Sequence, residues 1–257
     1  MGLVGVRTLR VVLLYGLFLV SPHLLAQQII PLMMGEEAGW VGSPPVLRPR
    51  VEKTLHYLET ELSVRFSIQR YPYNRVLMNL RNGDGLAFGL SKTTGRSAFL
   101  RFSAPVYSTY VWLVTRSDAR FEFGGLSDLK GKTVGVVSGV SYGDEFDQVK
   151  TSLFHVENDP PNLLVRCKKL YSRRMDVMLI NSDSAKAEQV EQRLSRVLKG
   201  YFSEVNYVPD VPLSVASKPV WVDDIYFASG LNDNPAFMER LNAAIEKGKK
   251  AGTFDPV

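Results

Sequence analysis

The chain has 257 residues, 45% of them hydrophobic and 22% charged, with a formal net charge of +5. This is the composition of a globular chain with a sizeable core, and it excludes a disordered, collagen-like or low-complexity protein. A single cysteine, Cys167, excludes a disulfide framework and a cysteine zinc cluster, and scattered basic residues with no concentrated stripe argue against nucleic-acid binding.

Arg7 and Arg10 precede an apolar run, Val11 to Val20. That run is well short of the roughly 20 residues a membrane-spanning helix needs. Pro22 breaks it, and Leu24-Leu25-Ala26 ends on a small residue, so residues 1–26 read as a secretory signal cut near Ala26. Removing Arg7 and Arg10 leaves 29 basic against 26 acidic residues, a net charge of +3.

Ile29 to Met34 reads as a short buried strand. Val51, Leu55, Leu58 and Leu62 recur at helical spacing, whereas Val64, Phe66 and Ile68 alternate with polar residues as in a strand. Val76, Leu77 and Leu80 mark a helix ending at Asn82-Gly83, and strands are predicted at Gly85 to Leu90 and Tyr110 to Thr115. Ser127 is positioned to cap a short turn. Lys132 to Ser138 is a valine-rich strand, followed by a helix from about Tyr142 that Ser141 could cap. Further on come a strand around Val156, a helix from Leu163 to Arg174, a buried strand from Met175 to Ile180, and a helix through Val190, Leu194 and Val197. Asn234-Pro235 starts the last helix, with Phe237, Leu241 and Ile245 as its buried stripe. Strand and helix alternate in two groups, which predicts parallel α/β sheets in two lobes.

Enzyme motifs match only locally. Gly139-Val140-Ser141-Tyr142-Gly143 fits G-x-S-x-G between a strand and a helix, but His155 is the sole later histidine and no triad assembles in the expected order. Gly131-Lys132-Thr133 lacks the earlier glycine of a P-loop and leads into a strand. No zinc-binding histidine pair is present, and no cofactor is expected. The glycine turn at 139–142 presents backbone N–H groups at a helix start. That geometry suits an anion, although an ordinary capped turn explains it as well.

Several segments together resemble the bacterial extracellular solute-binding proteins of family 3. Ser91-Lys92-Thr93-Thr94-Gly95-Arg96, with Phe102-Ser103-Ala104-Pro105-Val106-Tyr107 after it, is similar to the signature S-x-T-x-x-R … F-S-x-P-Y. Leu126 to Val136 resembles the segment s-L-x-D-L-k-G-k-x-V-g-V, Arg174-Met175-Asp176 resembles the g-R-x-D element, and Gly252-Thr253-Phe254 resembles the usual ending. They occur in the family's order over most of the mature chain. The resemblance implies an α/β, two-lobed periplasmic-binding-protein fold of type II, with lobe 1 at 27–115 and 206–257 and lobe 2 at 116–205. It implies a monomeric periplasmic protein without catalytic chemistry, which captures a small carboxylate-bearing solute by hinge closure. The solute would be an amino acid or a relative, delivered to the permease of an ABC transporter. The alternative is a stand-alone receptor presenting its liganded form to a membrane sensor.

The resemblance assigns the ligand carboxylate to Arg96, whose planar fork of donors suits it, with Ser91 adding a hydrogen bond. Ser141 and Tyr142 would face the same group from the second lobe. Trp40 or Tyr73 could stack on the solute or simply pack. Where amino-acid binders of the family place an acid for the ammonium, this chain has Asn181. Either Asp183, or Glu36 or Glu37 from the first loop, supplies the charge, or the ligand lacks an ammonium and is a plain carboxylate or another polar solute. Asp183 reads equally well as a helix cap.

Overall fold

The structure, a computed structural model, describes residues 27–36, 47–204 and 209–255. The expected signal segment, Trp40 and Glu37 lie outside the described residues.

The first half begins with β1 (Gln28–Gly35), α1 (Pro49–Leu62), β2 (Val64–Tyr71), α2 (Tyr73–Arg81) and β3 (Leu86–Ser91). Proline opens α1, and Ser63 ends it in the left-handed conformation, its N–H returning to the Glu59 and Thr60 carbonyls. A short α3 (Thr94–Ser97) and β4 (Leu100–Phe102) lead to β5 (Tyr107–Arg116). The second half holds β6 (Thr133–Val137), α4 (Asp144–Val149), β7 (His155–Asp159), α5 (Leu163–Tyr171), β8 (Val177–Ser182) and α6 (Ala187–Glu204). The chain returns through β9 (Leu213–Val215) and β10 (Trp221–Gly230) to α7 (Pro235–Lys250).

The strands form one sheet path, β2-β1-β3-β10-β5-β8-β6-β7, with β4 beside β10 and β9 beside β5. β2, β1 and β3 are parallel, as are β8, β6 and β7. The antiparallel strands β5 and β10 join the two parallel groups. Each group buries its own core. Leu32, Leu58, Phe88, Phe227, Leu241 and Ile245 pack between the first group and α1 and α7. In the second, side chains of β5 alternate across the sheet: Trp112 and Val114 pack toward α5 and α6, Val111 and Leu113 toward α4. This is the two-lobed type II binding-protein fold expected from the sequence.

The local differences have simple causes. The turn at Leu126–Leu129 is capped by Asp128, whose carboxylate accepts from the Gly124 and Gly125 N–H groups at 2.6 and 3.0 Å, not by Ser127. Helix α4 starts at Asp144 rather than at Tyr142, after Gly143 at φ +98°, and Ser141 does not cap it. Helix α5 stops at Tyr171, and Arg173 takes a positive φ of 57°. Asn234 caps α7 as expected, its side-chain oxygen accepting from the Phe237 N–H at 3.1 Å. Sequence periodicity missed β4, β9 and β10. Of these, β10 matters most, because it carries a residue of the site.

Candidate functional site

A cavity of about 410 Å³ lies between the two halves. Its polar wall includes Ser91, Arg96, Ser141 and Asp223, and the second half adds an apolar wall from Leu163, Ile180, Val190, Leu194 and Val197.

Arg96 sits on α3, which follows the end of β3. Thr93 caps that turn, its hydroxyl oxygen accepting from the Arg96 N–H at 3.2 Å. Arg96 is 8% exposed. It donates from Nη1 to the Ser91 carbonyl at 2.8 Å and from Nη2 to the Gly139 carbonyl at 3.1 Å. Described residues thus take two of its five N–H donors. Burial lowers its pKa, with the charges of Asp147, Asp223 and Tyr73 acting the other way. Ser91, also buried, donates its hydroxyl to Asp223 Oδ2 at 2.6 Å.

Asp223 is the residue that sequence reasoning missed. It lies on β10 opposite Thr109 of β5 and is 6% exposed. Burial pushes its carboxyl up to about 6, against the lowering effect of the Ser91 hydroxyl and the Arg96 charge. A signal was present in the sequence: Asp223, Ile225 and Phe227 alternate in Trp221 to Gly230, so a half-buried strand facing the cavity with an acid was legible there.

The halves also touch across the cavity. The Thr94 N–H donates to both Asp144 carboxylate oxygens at 3.1 and 3.2 Å, and the Thr94 hydroxyl donates to Oδ2 at 2.7 Å. These bonds hold the Asp144 carboxyl below its usual value. Gly139 has φ +79°, and a Cβ there would lie 2.5 to 3.0 Å from atoms of Asn74 on α2, so only glycine permits this approach.

Ser141 lines the cavity, but its hydroxyl donates to Asp147 and its oxygen accepts weakly from the Gly143 N–H at 3.3 Å. The first turn of α4 carries Asp144, Glu145 and Asp147, which already answer its dipole. Tyr142 is 2% exposed in the second core, and its hydroxyl oxygen accepts from the Val137 N–H at 3.0 Å. Tyr73 lines the cavity with its ring laid against Gly35, leaving no room for a Cβ. Asn181 is exposed on β8 at the cavity wall. Asp183 is not on that wall. It pairs with Arg48 at 3.6 Å and Arg50 at 3.5 Å, and Arg50 itself donates to the Phe254 carbonyl at 2.7 Å. Glu36 reaches the cavity edge and is exposed. The arrangement therefore places the buried Arg96 and Asp223 and the Ser91 and Ser141 hydroxyls around a space, with an apolar wall beside them; the buried Arg166 also lines it but is held by Asp159 and by the Gly135 and Leu179 carbonyls. No group of three or more His, Cys, Asp or Glu suited to a metal occurs among the described residues.

No protein-family model matches the chain, and no curated protein matches it. Solved structures do. An amino acid ABC transporter substrate-binding protein, AbpA from Streptococcus pneumoniae, bound to L-arginine, is 20% identical, with a TM-score of 0.64 over 88% of this chain and 91% of that one. An ancestral arginine-binding protein bound to arginine is 19% identical, with a TM-score of 0.64 over 89% and 96%. The GluR0 ligand-binding core complexed with L-glutamate is 15% identical, with a TM-score of 0.66 over 89% and 96%. At these identities the likeness establishes the fold.

Proposed function

We propose that this chain, which has the fold of amino-acid-binding substrate-binding proteins, is a periplasmic solute-binding protein of family 3. It captures a small carboxylate-bearing solute between its lobes and hands it to an ABC importer. The observation that carries this reading is Arg96: a buried guanidinium on the cavity wall, bonded to carbonyls of both halves and with donors to spare. A carboxylate arriving there would meet a planar fork of N–H groups; the hydrogen bond expected from Ser91 is not available to it, because that hydroxyl donates to Asp223. The apolar wall from α5 and α6 suits a solute with an apolar body. Binding energy that depends on contacts from both halves favours the closed form, which is the physical content of hinge closure.

The lobe boundaries are part of the proposal. Crossings near 115–117 and 205–208 were expected from the sequence. Packing supports crossings nearer the centre of the sheet, because Val111 to Val114 already belong to the second core and Leu213 and Val215 still do, while Tyr107 and Ile225 belong to the first.

The test is a thermal-shift screen against amino acids, polyamines and simple carboxylates, since a ligand that binds only the native state raises the midpoint. Small-angle scattering with the best ligand should show a smaller radius of gyration at saturation. A screen in which no carboxylate raises the midpoint would overturn the proposal.

A further inference from the structure

Within the cavity one acid is placed to meet an ammonium group. Asn181 carries no charge, Asp183 is held by Arg48 and Arg50 off the cavity wall, and Glu36 is exposed at the edge. Asp223 is different. It is buried, it lines the cavity, and its Oδ2 is fixed by Ser91 while its Oδ1 accepts no hydrogen bond from the described residues. No Lys, Arg or His among the described residues lies within 4.0 Å of its carboxylate. Arg96 faces the same space and spends its bonds on carbonyl oxygens instead of on Asp223. Opposite charges are thus held apart on one wall, and Ser91 touches both, through its carbonyl to Arg96 and its hydroxyl to Asp223.

A buried carboxylate with no cation in contact is costly to maintain, and removing a solute cation from water is costly too. Each becomes tolerable when it neutralises the other. We infer that Asp223 is the counter-charge for a cationic group of the solute, so that the cavity takes a zwitterion with its carboxylate on Arg96 and its ammonium on Asp223. This rests on the solute-binding reading above and deepens it: the acid comes from the return strand β10 in place of the strand that carries Asn181.

The probes are the common L-amino acids and, for whichever binds, its 2-hydroxy acid, which keeps the carboxylate and side chain and lacks the ammonium. In the purified protein the amino acid should bind about thirtyfold or more tightly than the hydroxy acid, the scale of leaving one buried charge without its partner. Asp223→Asn retains an oxygen for the Ser91 hydroxyl and removes the charge. It should abolish the preference and leave hydroxy-acid affinity within a few-fold. Asp183→Asn should keep the preference, and this arm stands even if the Asp223 variant does not fold. The inference is overturned if Asp183→Asn erases the preference, if Asp223→Asn retains it, or if hydroxy acids bind the unmodified protein as well as amino acids do. In the last case solute binding stands and only the zwitterion falls. If no carboxylate binds at all, the underlying reading falls as well.

Discussion

Replacing Arg96 by alanine removes a group that does two jobs in the same place. In the free protein the guanidinium satisfies the Ser91 and Gly139 carbonyls and lies close enough to Asp223 to favour its ionised form. Losing it leaves both carbonyls facing the enlarged cavity, where water can satisfy them, so the fold should persist with a lowered midpoint. In the complex the loss is larger, because the solute carboxylate is left without its cation. Truncating one partner of a buried charge pair costs about 2–5 kcal/mol, a loss of about 30-fold to several thousand-fold in affinity. Arg96→Lys keeps the charge without the planar fork and should fall between. Titration calorimetry with the best ligand of the screen measures both variants, and circular dichroism checks that each is folded. Affinity for Arg96→Ala within about threefold of the unmodified protein would refute the assignment, because no desolvated charge pair is lost so cheaply.

Asp223 titrates near 6 in the folded chain against an ordinary 3.8, with Ser91, Arg96, Thr109 and Asp224 around it; the folded state therefore holds the proton more tightly, and this group's contribution to stability is full below pH 4 and falls as pH rises through 6. The cost at pH 7 is about 3 kcal/mol, so without ligand Asp223→Asn should unfold later than the unmodified protein at pH 7 and show a flatter midpoint between pH 4 and 7; an unchanged midpoint at pH 7 would contradict the burial argument. Gly139→Ala sets a Cβ against Asn74 at a positive φ, so it should disfavour the closed form, weaken ligand binding and leave a larger radius of gyration by scattering with ligand present. Asp159 is fully buried between Arg166 at 3.4 Å and Lys169 at 2.6 Å; Asp159→Asn removes their shared anion, leaving Lys169 on Glu157 and Arg166 on the Gly135 and Leu179 carbonyls, and should cost about 3 kcal/mol in a denaturant titration, the lower end for breaking a buried pair, whereas a loss below about 1 kcal/mol would mean that the network is solvated.

Much of this protein is set by local pattern. Period-two and helical spacing predict β2, α1 and α7 because one face of each meets its own core and the other meets water, and continuous apolar runs predict β1 and β3, whose two faces meet two different cores. Leu241 and Ile245 are buried as their spacing requires, and Asn234 caps α7 because an amide oxygen beside an N-terminal turn meets an unpaired N–H. The Ser91 to Arg96 motif is local as well: Thr93 caps the turn that carries Arg96, so its six residues shape the arginine's position by themselves. The ammonium question is of another kind. Whether Asp183 or Asp223 is available depends on what lies opposite each. Arg48 and Arg50 flank the start of α1, more than 130 positions before Asp183, and Ser91 meets Asp223 across 132 positions. Long-range pairing of β10 with β3 and β5 brings Asp223 to the cavity, and a short strand whose partners are so distant leaves only a faint alternation in its own sequence. The cap expected from Ser141 fails for a similar reason: a hydroxyl bonds to the best acceptor in reach, and in the folded chain that is Asp147. Sequence thus determined the elements and the arginine motif, because those rest on neighbours along the chain. Tertiary structure decided which charges face the cavity, because a charge's role is set by the partner that reaches it first.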